Sequence, residues 1–341
     1  MGETGCQARA GAMTGAVPGS VGLGVVGMGR HGSRYVTHLL EGVPGCHLAA
    51  VSRRDEAAGR AFAERHGVPF CAEWRELVTR PAVEAVVVVT PPALNRDVCL
   101  AAARAGKPLL IEKPLALSVA EGREMVDAAR AAGVVLMTAQ TLRFTPVLER
   151  LKASLPLIAP LEYLCLTMRA ERPPHPWLDD PAQAGGGVLL EIGIHLLDLI
   201  RYLTGEEAVE AGGEMIRRHT TLVEDLAQAR FRLVSGLPCH VEVSRVSGGR
   251  LCRAEAVGRT GQLLADVDRS LLTRIEGRAI VEAEAVQDRP TVVTALEVFA
   301  RSLLTGVPVP VSGEDGLRAV AMAEACYRAA REGRPMPLDP L

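Results

Sequence analysis

Apolar residues follow two rhythms along this chain. In the first part, short unbroken apolar runs alternate with amphipathic stretches. Val21–Val26, His47–Val51 and Val83-Glu-Ala-Val-Val-Val-Val-Thr90 are such runs, and β-branched runs of this kind suit strands buried on both faces. Helical patterns follow through Tyr35, Val36, Leu39 and Leu40, and then from Asn95 to Ala105, closing at Gly106. A strand, Pro108–Ile111, precedes another helix from Ser118 to Ala132, which closes at Gly133, glycine being the usual residue just past a helix end. Strand–helix alternation with short connections predicts an α/β fold, a doubly wound parallel (Rossmann) sheet over 20–140.

Beyond Gln140 the rhythm changes to strict alternation. The segments 161–169, 227–234, 239–246 and 253–257 each place apolar residues at every second position, with turns at Ser235-Gly236 and Gly258–Gly261. Alternation means one buried face and one open face. A second, α+β domain built on an open antiparallel sheet is therefore expected over 141–310, with Arg230, Arg232, Glu242 and Arg245 on the open face. Helices over Thr294–Leu304 and Glu314–Arg331 follow, and 311–341 forms a C-terminal helical segment.

One helix stands apart. Gly185-Gly186-Gly187 leads into a pattern over 188–200 that is apolar nearly all round, interrupted by Glu191, His195 and Asp198. Spacings of four and three put these three side chains on one face. A helix apolar on every side is buried, so its ionisable groups must either pair with each other or face a cleft. The first alternative is a core histidine held by Asp198 with Glu191 as a partner. The second is catalysis.

The chemistry collects at the carboxyl ends of the first-domain strands, where ligands bind on such sheets. Gly27-Met-Gly29-Arg30-His31-Gly32 is a G-x-G-x-x-G turn between a strand and a helix. Its glycines serve the tight turn, the approach to a pyrophosphate and the helix–strand contact, and the helix N–H groups hold phosphate. The second strand ends in Ser52-Arg53-Arg54, where an NAD-type fold usually has an acid for the ribose 2′-hydroxyl. A hydroxyl and two guanidinium groups suit a 2′-phosphate better, so NADP is preferred over NAD, unless both arginines are ordinary surface charges. Thr90, Pro91, Pro92 and Asn95 follow the third strand, and Glu112 and Lys113 the fourth. These residues, with the glycine turn, are the candidate cofactor contacts. Lys113 is one of only three lysines in an arginine-rich chain. An ammonium donates to a single oxygen and can lose its proton when desolvated, as guanidinium cannot.

Composition narrows the alternatives. A formal net charge of −2 with interspersed signs leaves no basic nucleic-acid footprint, and no apolar run approaches a membrane span. Eight scattered cysteines without a C-x-x-C pair argue against a metal site or a disulfide framework and for a cytoplasmic protein. Residues 1–19 are Gly/Ala-rich, lack signal-peptide features and read as a disordered leader, with Met13 an alternative start.

Together these marks resemble the glucose–fructose oxidoreductase / inositol dehydrogenase (Gfo/Idh/MocA) family from about Val21 to Leu338. They are the glycine turn, Thr90-Pro91-Pro92, Ala105-Gly-Lys-Pro108, Glu112-Lys113-Pro114, Arg143-Phe144, the Gly185–Asp198 segment and Val311–Arg318. The resemblance implies an NAD(P)-dependent oxidoreductase acting on a secondary alcohol or ketone of a sugar, cyclitol or related polyol. It implies that Lys113 and His195 flank the nicotinamide and the reacting carbinol, joined by Glu191, that the Lys113–Pro114 bond is cis, and that the protein is a homodimer or homotetramer. Many members carry Asp where this chain has Glu191, and His where it has Asn95. Lys113, Arg143, Arg169, Trp177 and His195 are the candidate substrate contacts, with Arg172 and His175 near the same pocket. The alternative function is a non-catalytic dinucleotide-binding regulator or scaffold on the same fold.

Overall fold

A computed structural model describes residues 19–172 and 176–338. The leader, Gly19 apart, and His175 lie outside the described residues. The first sheet is built from β1 (Val21–Val26), α1 (Arg30–Glu41), β2 (Cys46–Ser52), α2 (Glu56–His66), β3 (Phe70–Cys71), α3 (Trp74–Thr79), β4 (Ala85–Val88), α4 (Asn95–Arg104), β5 (Leu109–Glu112), α5 (Val119–Ala131) and β6 (Leu136–Ala139). Its six strands run in the order β3-β2-β1-β4-β5-β6, and every pair is parallel. All six β1 positions are buried, as are all four of β4, which matches their unbroken apolar character. Strand order reverses between β1 and β4. The crevice outside that switch point is where such sheets take ligands, and the glycine turn and Thr90–Pro92 both stand there.

The chain continues through α6 (Pro146–Ser154), β7 (Leu161–Arg169), α7 (Pro181–Ala184), α8 (Ile194–Thr204), β8 (Ala208–Ile216), β9 (Leu226–Leu233), β10 (Pro238–Ser244), β11 (Leu251–Gly258), β12 (Gln262–Asp266), β13 (Leu271–Glu276), β14 (Ala279–Ala285), α9 (Thr291–Thr305), α10 (Gly313–Glu332) and β15 (Met336–Pro337). The second sheet has the order β14-β13-β12-β11-β7-β10-β9-β8-β15. It is antiparallel except between β7 and β10, which are parallel. The exception arises because β7 enters the sheet first and α7 and α8 intervene before β8, so β10 reaches β7 without a hairpin. Polar–apolar alternation does not announce β14, which is exposed at nearly every position.

The buried face of this sheet is lined by small side chains, including Ala227, Ala229, Ala254 and Ala256. Small residues let α8 lie close against β7 and β10, burying Leu196, Leu197 and Ile200. The return to the first sheet begins at α9, which buries Leu296 and Phe299 with Tyr35 and Val36 of α1. Ser312 and Asp315 form a reciprocal capping box at the start of α10, and α10 then packs on α5, α8 and β8.

Candidate active site

Gly27 has φ +97°, and its N–H donates to the Ser52 carbonyl at 2.9 Å. A β-carbon at Gly32 would sit 1.8 Å from the Gly27 carbonyl oxygen, whereas nothing lies within 4 Å of one at Gly29. α1 begins at this turn with no side-chain cap and no acid in its first turn, so its N-terminal N–H groups suit an anion. These features fit a dinucleotide diphosphate. Two nearby candidates are engaged internally. Asn95 is 1% exposed. It accepts from the Thr90 hydroxyl at 3.0 Å and donates to the carbonyls of Pro114 and Leu115, so it ties the switch-point turn to the Glu-Lys-Pro segment. Glu112 is buried and receives His31 Nε2 at 2.7 Å, Tyr35 Oη at 2.5 Å and the Lys113 N–H at 3.1 Å. Burial alone would raise its carboxyl, but His31, Lys113 and Tyr35 hold it down at about 2.

The Lys113–Pro114 bond is cis. Lys113 Nζ donates to the Glu191 carbonyl at 2.7 Å. That carbonyl lies in a π-type turn, Leu189–Gly193, which interrupts the continuous helix expected over 188–200. Such turns break the regular ladder and recur at functional sites. Burial lowers the Lys113 pKa, against the pull of Glu112 and Glu191. His195 Nδ1 lies 3.0 Å from Gln140 Oε1. Burial, reinforced by the Lys113 charge, pushes His195 well below the usual imidazole range. His195 is therefore within electrostatic reach of Lys113, Glu112 and His31.

The ion pairs differ from the internally paired reading of the helix. Glu191 pairs with Arg245 through Nε at 2.5 Å and through Nη2, not with His195, because a guanidinium is a stronger partner for a carboxylate than a neutral ring. Arg245 continues the parity of Cys239, Val241 and Val243, and so lies on the covered face rather than the open one. Asp198 holds Arg143 rather than His195, with two bonds of 2.6 Å. Arg143, expected at the substrate, is instead committed to Asp198, the Pro310 carbonyl and Asp315. Arg169 is two residues beyond Thr167 on the open face, where it pairs with Glu242 at 2.7 Å. Strand alternation thus turns it away from Glu191. Gln140 and Glu224 escaped the sequence reading, and Arg245 was placed on the wrong face of the sheet. Gln140 was signalled by its place at a strand's carboxyl end, and Arg245 by its core-facing parity.

The glycine triplet has a packing cause. A β-carbon at Gly186 would meet the Tyr327 hydroxyl at 2.4 Å, and one at Gly187 the Glu224 carbonyl at 2.0 Å. Glu224 accepts the N–H groups of Gly187 and Leu189 and the Tyr327 hydroxyl, so it caps the segment carrying Glu191. Gly187→Ala is expected to cost about 1–3 kcal/mol of stability, as overpacking does, with reduced turnover. Chemical denaturation checks this; an unchanged midpoint would mean the loop yields.

A cleft of about 550 Å³ opens beside Glu191, lined also by Arg172, Leu178, Val188 and Arg245. Arg172 thus stands where a pocket contact was expected. Trp177 is half-buried in the turn Pro176–Asp179 and does not line this cleft. Among the described residues no cluster of three or more His, Cys, Asp or Glu could hold a metal, and no helix is long and apolar enough to cross a membrane.

Residues 21–140 match a family model described as oxidoreductase family, NAD-binding Rossmann fold, and residues 161–264 match the GFO/IDH/MocA C-terminal domain. The chain is 28% identical over 329 residues to inositol 2-dehydrogenase 2 of Saccharopolyspora erythraea, covering 94% of this chain and 96% of that one. It is 29% identical to 1,5-anhydro-D-fructose reductase of Ensifer adhaerens, covering 93% and 98%. The crystal structure of aldose-aldose oxidoreductase from Caulobacter crescentus superposes with a TM-score of 0.85 at 28% identity, covering 94% of this chain and 100% of that one.

Proposed function

The chain belongs to the Gfo/Idh/MocA family of oxidoreductases, and on that premise we propose that it moves a hydride between nicotinamide and a secondary alcohol or ketone of a sugar, cyclitol or related polyol. The observation that carries the reading is the meeting of Lys113, from the end of β5, with the π-type turn before α8 and with His195 at its start. A bound nicotinamide supplies the hydride acceptor or donor. In the oxidative direction the carbinol hydroxyl gives its proton to His195 Nε2. Lys113 Nζ donates a hydrogen bond to the same oxygen and stabilises its developing charge. Glu191, neutralised by Arg245, acts through its backbone carbonyl on Lys113. Gly27, Gly29 and Gly32 make room for the diphosphate, and α1 presents its N-terminus to it.

Residues 20–140 serve the cofactor and 141–310 the substrate and assembly, while 311–341 closes back on the first unit. The working protein is a cytoplasmic homodimer or homotetramer with a small-molecule substrate. The cofactor is NADP in preference to NAD. Asp55, the first acid after β2, caps α2 by accepting from Ala58 at 3.0 Å and lies 4.0 Å from Arg53; a 2′-phosphate would compete with Asp55 for Arg53, with Arg54 alongside. A panel of inositols, aldoses and anhydro sugars, assayed with each cofactor, tests the reading. We expect reduction of NADP with at least one polyol and tighter binding of NADP than NAD, the difference shrinking in Arg53→Ala. Equal affinities unmoved by that substitution would remove the cofactor assignment. Retained cofactor without turnover on any polyol would favour a binding role.

A further inference from the structure

We propose that Gln140 is a positioning residue that fixes the tautomer of His195, holding the proton on Nδ1 so that Nε2 stays bare to accept the substrate's proton. The inference rests on His195 being the base. Gln140 directly follows β6 at the carboxyl edge of the first sheet and is 1% exposed. Its backbone is pinned at both ends: the N–H donates to the Thr138 carbonyl at 2.9 Å, and its own carbonyl accepts from Arg143 at 3.1 Å. The side chain is therefore presented from a rigid turn. Its Oε1 lies 3.0 Å from His195 Nδ1. An amide oxygen only accepts, so Nδ1 must donate, and a neutral imidazole with one N–H then has its lone pair at Nε2.

The choice of an amide is chemically specific. A carboxylate at this position would fix the same tautomer but would also favour the imidazolium and raise its pKa. The carboxylates nearest in the fold are already engaged elsewhere. Glu112 Oε1 takes His31 and Tyr35, and Asp198 takes Arg143. The charged and titratable groups that act on the ring are Lys113, Glu112 and His31. Gln140 thus orients the ring without adding charge, and His195 stays neutral beside Lys113. Gln140 Nε2 is buried and has no hydrogen-bond partner among the described residues. Such a donor costs free energy to bury.

Long-range 15N–1H spectra of the full-length protein test the tautomer directly, with the His195 signals identified by their loss in His195→Asn. We expect a protonated Nδ1 and a bare Nε2; a protonated Nε2 would overturn the inference. Gln140→Met keeps the side-chain length and removes the acceptor. It should abolish the tautomer preference and lower kcat about tenfold, the scale of one hydrogen bond, with the NADP dissociation constant nearly unchanged. Unchanged kcat with an unchanged spectrum would count against the proposal. Gln140→Glu should move the acidic limb of kcat/KM to higher pH by about one unit or more, and an unmoved limb would contradict it. Full activity in His195→Ala would reject the base itself, a failure distinct from the wrong tautomer in a protein that still needs His195.

Discussion

Alanine at either His195 or Lys113 is expected to slow hydride transfer by about a hundred- to ten-thousand-fold, the range of general acid–base groups, while the nicotinamide cofactor binds nearly as before. The two residues reach one region from different elements, and the proposed diphosphate contacts, the glycine turn and the start of α1, are other residues. If both act on one oxygen, the double variant should lose less than the product of the singles. Single-turnover formation of NADPH with a confirmed substrate is the measurement. A near-normal rate in His195→Ala would reduce α8 to a structural element. The pH dependence has a definite sign. Burial and the Lys113 charge press the His195 pKa well below the imidazole range, so the ring is already unprotonated at neutral pH. The acidic limb of kcat/KM should therefore lie below the ordinary imidazole value. The same depression links to stability. Below about pH 6.5 an unfolded histidine takes up a proton that folded His195 refuses, so its contribution makes the protein less stable as pH falls through that range.

Arg143→Ala is expected to destabilise the protein by about 3–5 kcal/mol, the cost of leaving a buried ion without its partner. Asp198 is 1% exposed and Arg143 is 10% exposed at the side chain. Without the guanidinium, Asp198 keeps neither a bidentate partner nor access to water. Asp315 would still have Arg201 at 2.9 Å, so the damage should centre on the contact between the 141–144 turn and α8. Replacing both members with apolar side chains of similar size should recover much of the loss, because a buried pair repays its desolvation poorly. Denaturant titration of the two variants decides the matter. A loss below about 1 kcal/mol for Arg143→Ala would show the pair to be screened like a surface salt bridge. The result also bears on catalysis, since Gln140 directly precedes the same turn.

Much of this molecule was legible from local chemistry. The parallel sheet announced itself because strands buried on both faces have no polar positions, and the glycine turn because its backbone tolerates no β-carbon at Gly32. Lys113 stood out as one of three lysines in an arginine-rich chain, and His195 as one of three ionisable groups on an otherwise apolar segment. Ser118 marked the start of α5, where its side chain caps the helix. The exposed β14 and the parallel β7–β10 pair left no such signal, because neither follows from one segment's own pattern.

Partner choice is where the sequence stopped. Spacing placed Glu191, His195 and Asp198 on one face, and left open whether they paired with each other or faced a cleft. The fold instead brings Arg245 across from β10 to Glu191, Arg143 from the end of the first sheet to Asp198, and Gln140 to His195. Each partner lies more than fifty residues away in the chain, at |i−j| of 54, 55 and 55. The sequence by itself determined which elements form, which faces are apolar and which residue types can do the chemistry, because these depend on neighbours along the chain. Tertiary structure alone decided which charge meets which, because a buried ion takes the strongest partner that packing brings within hydrogen-bond distance.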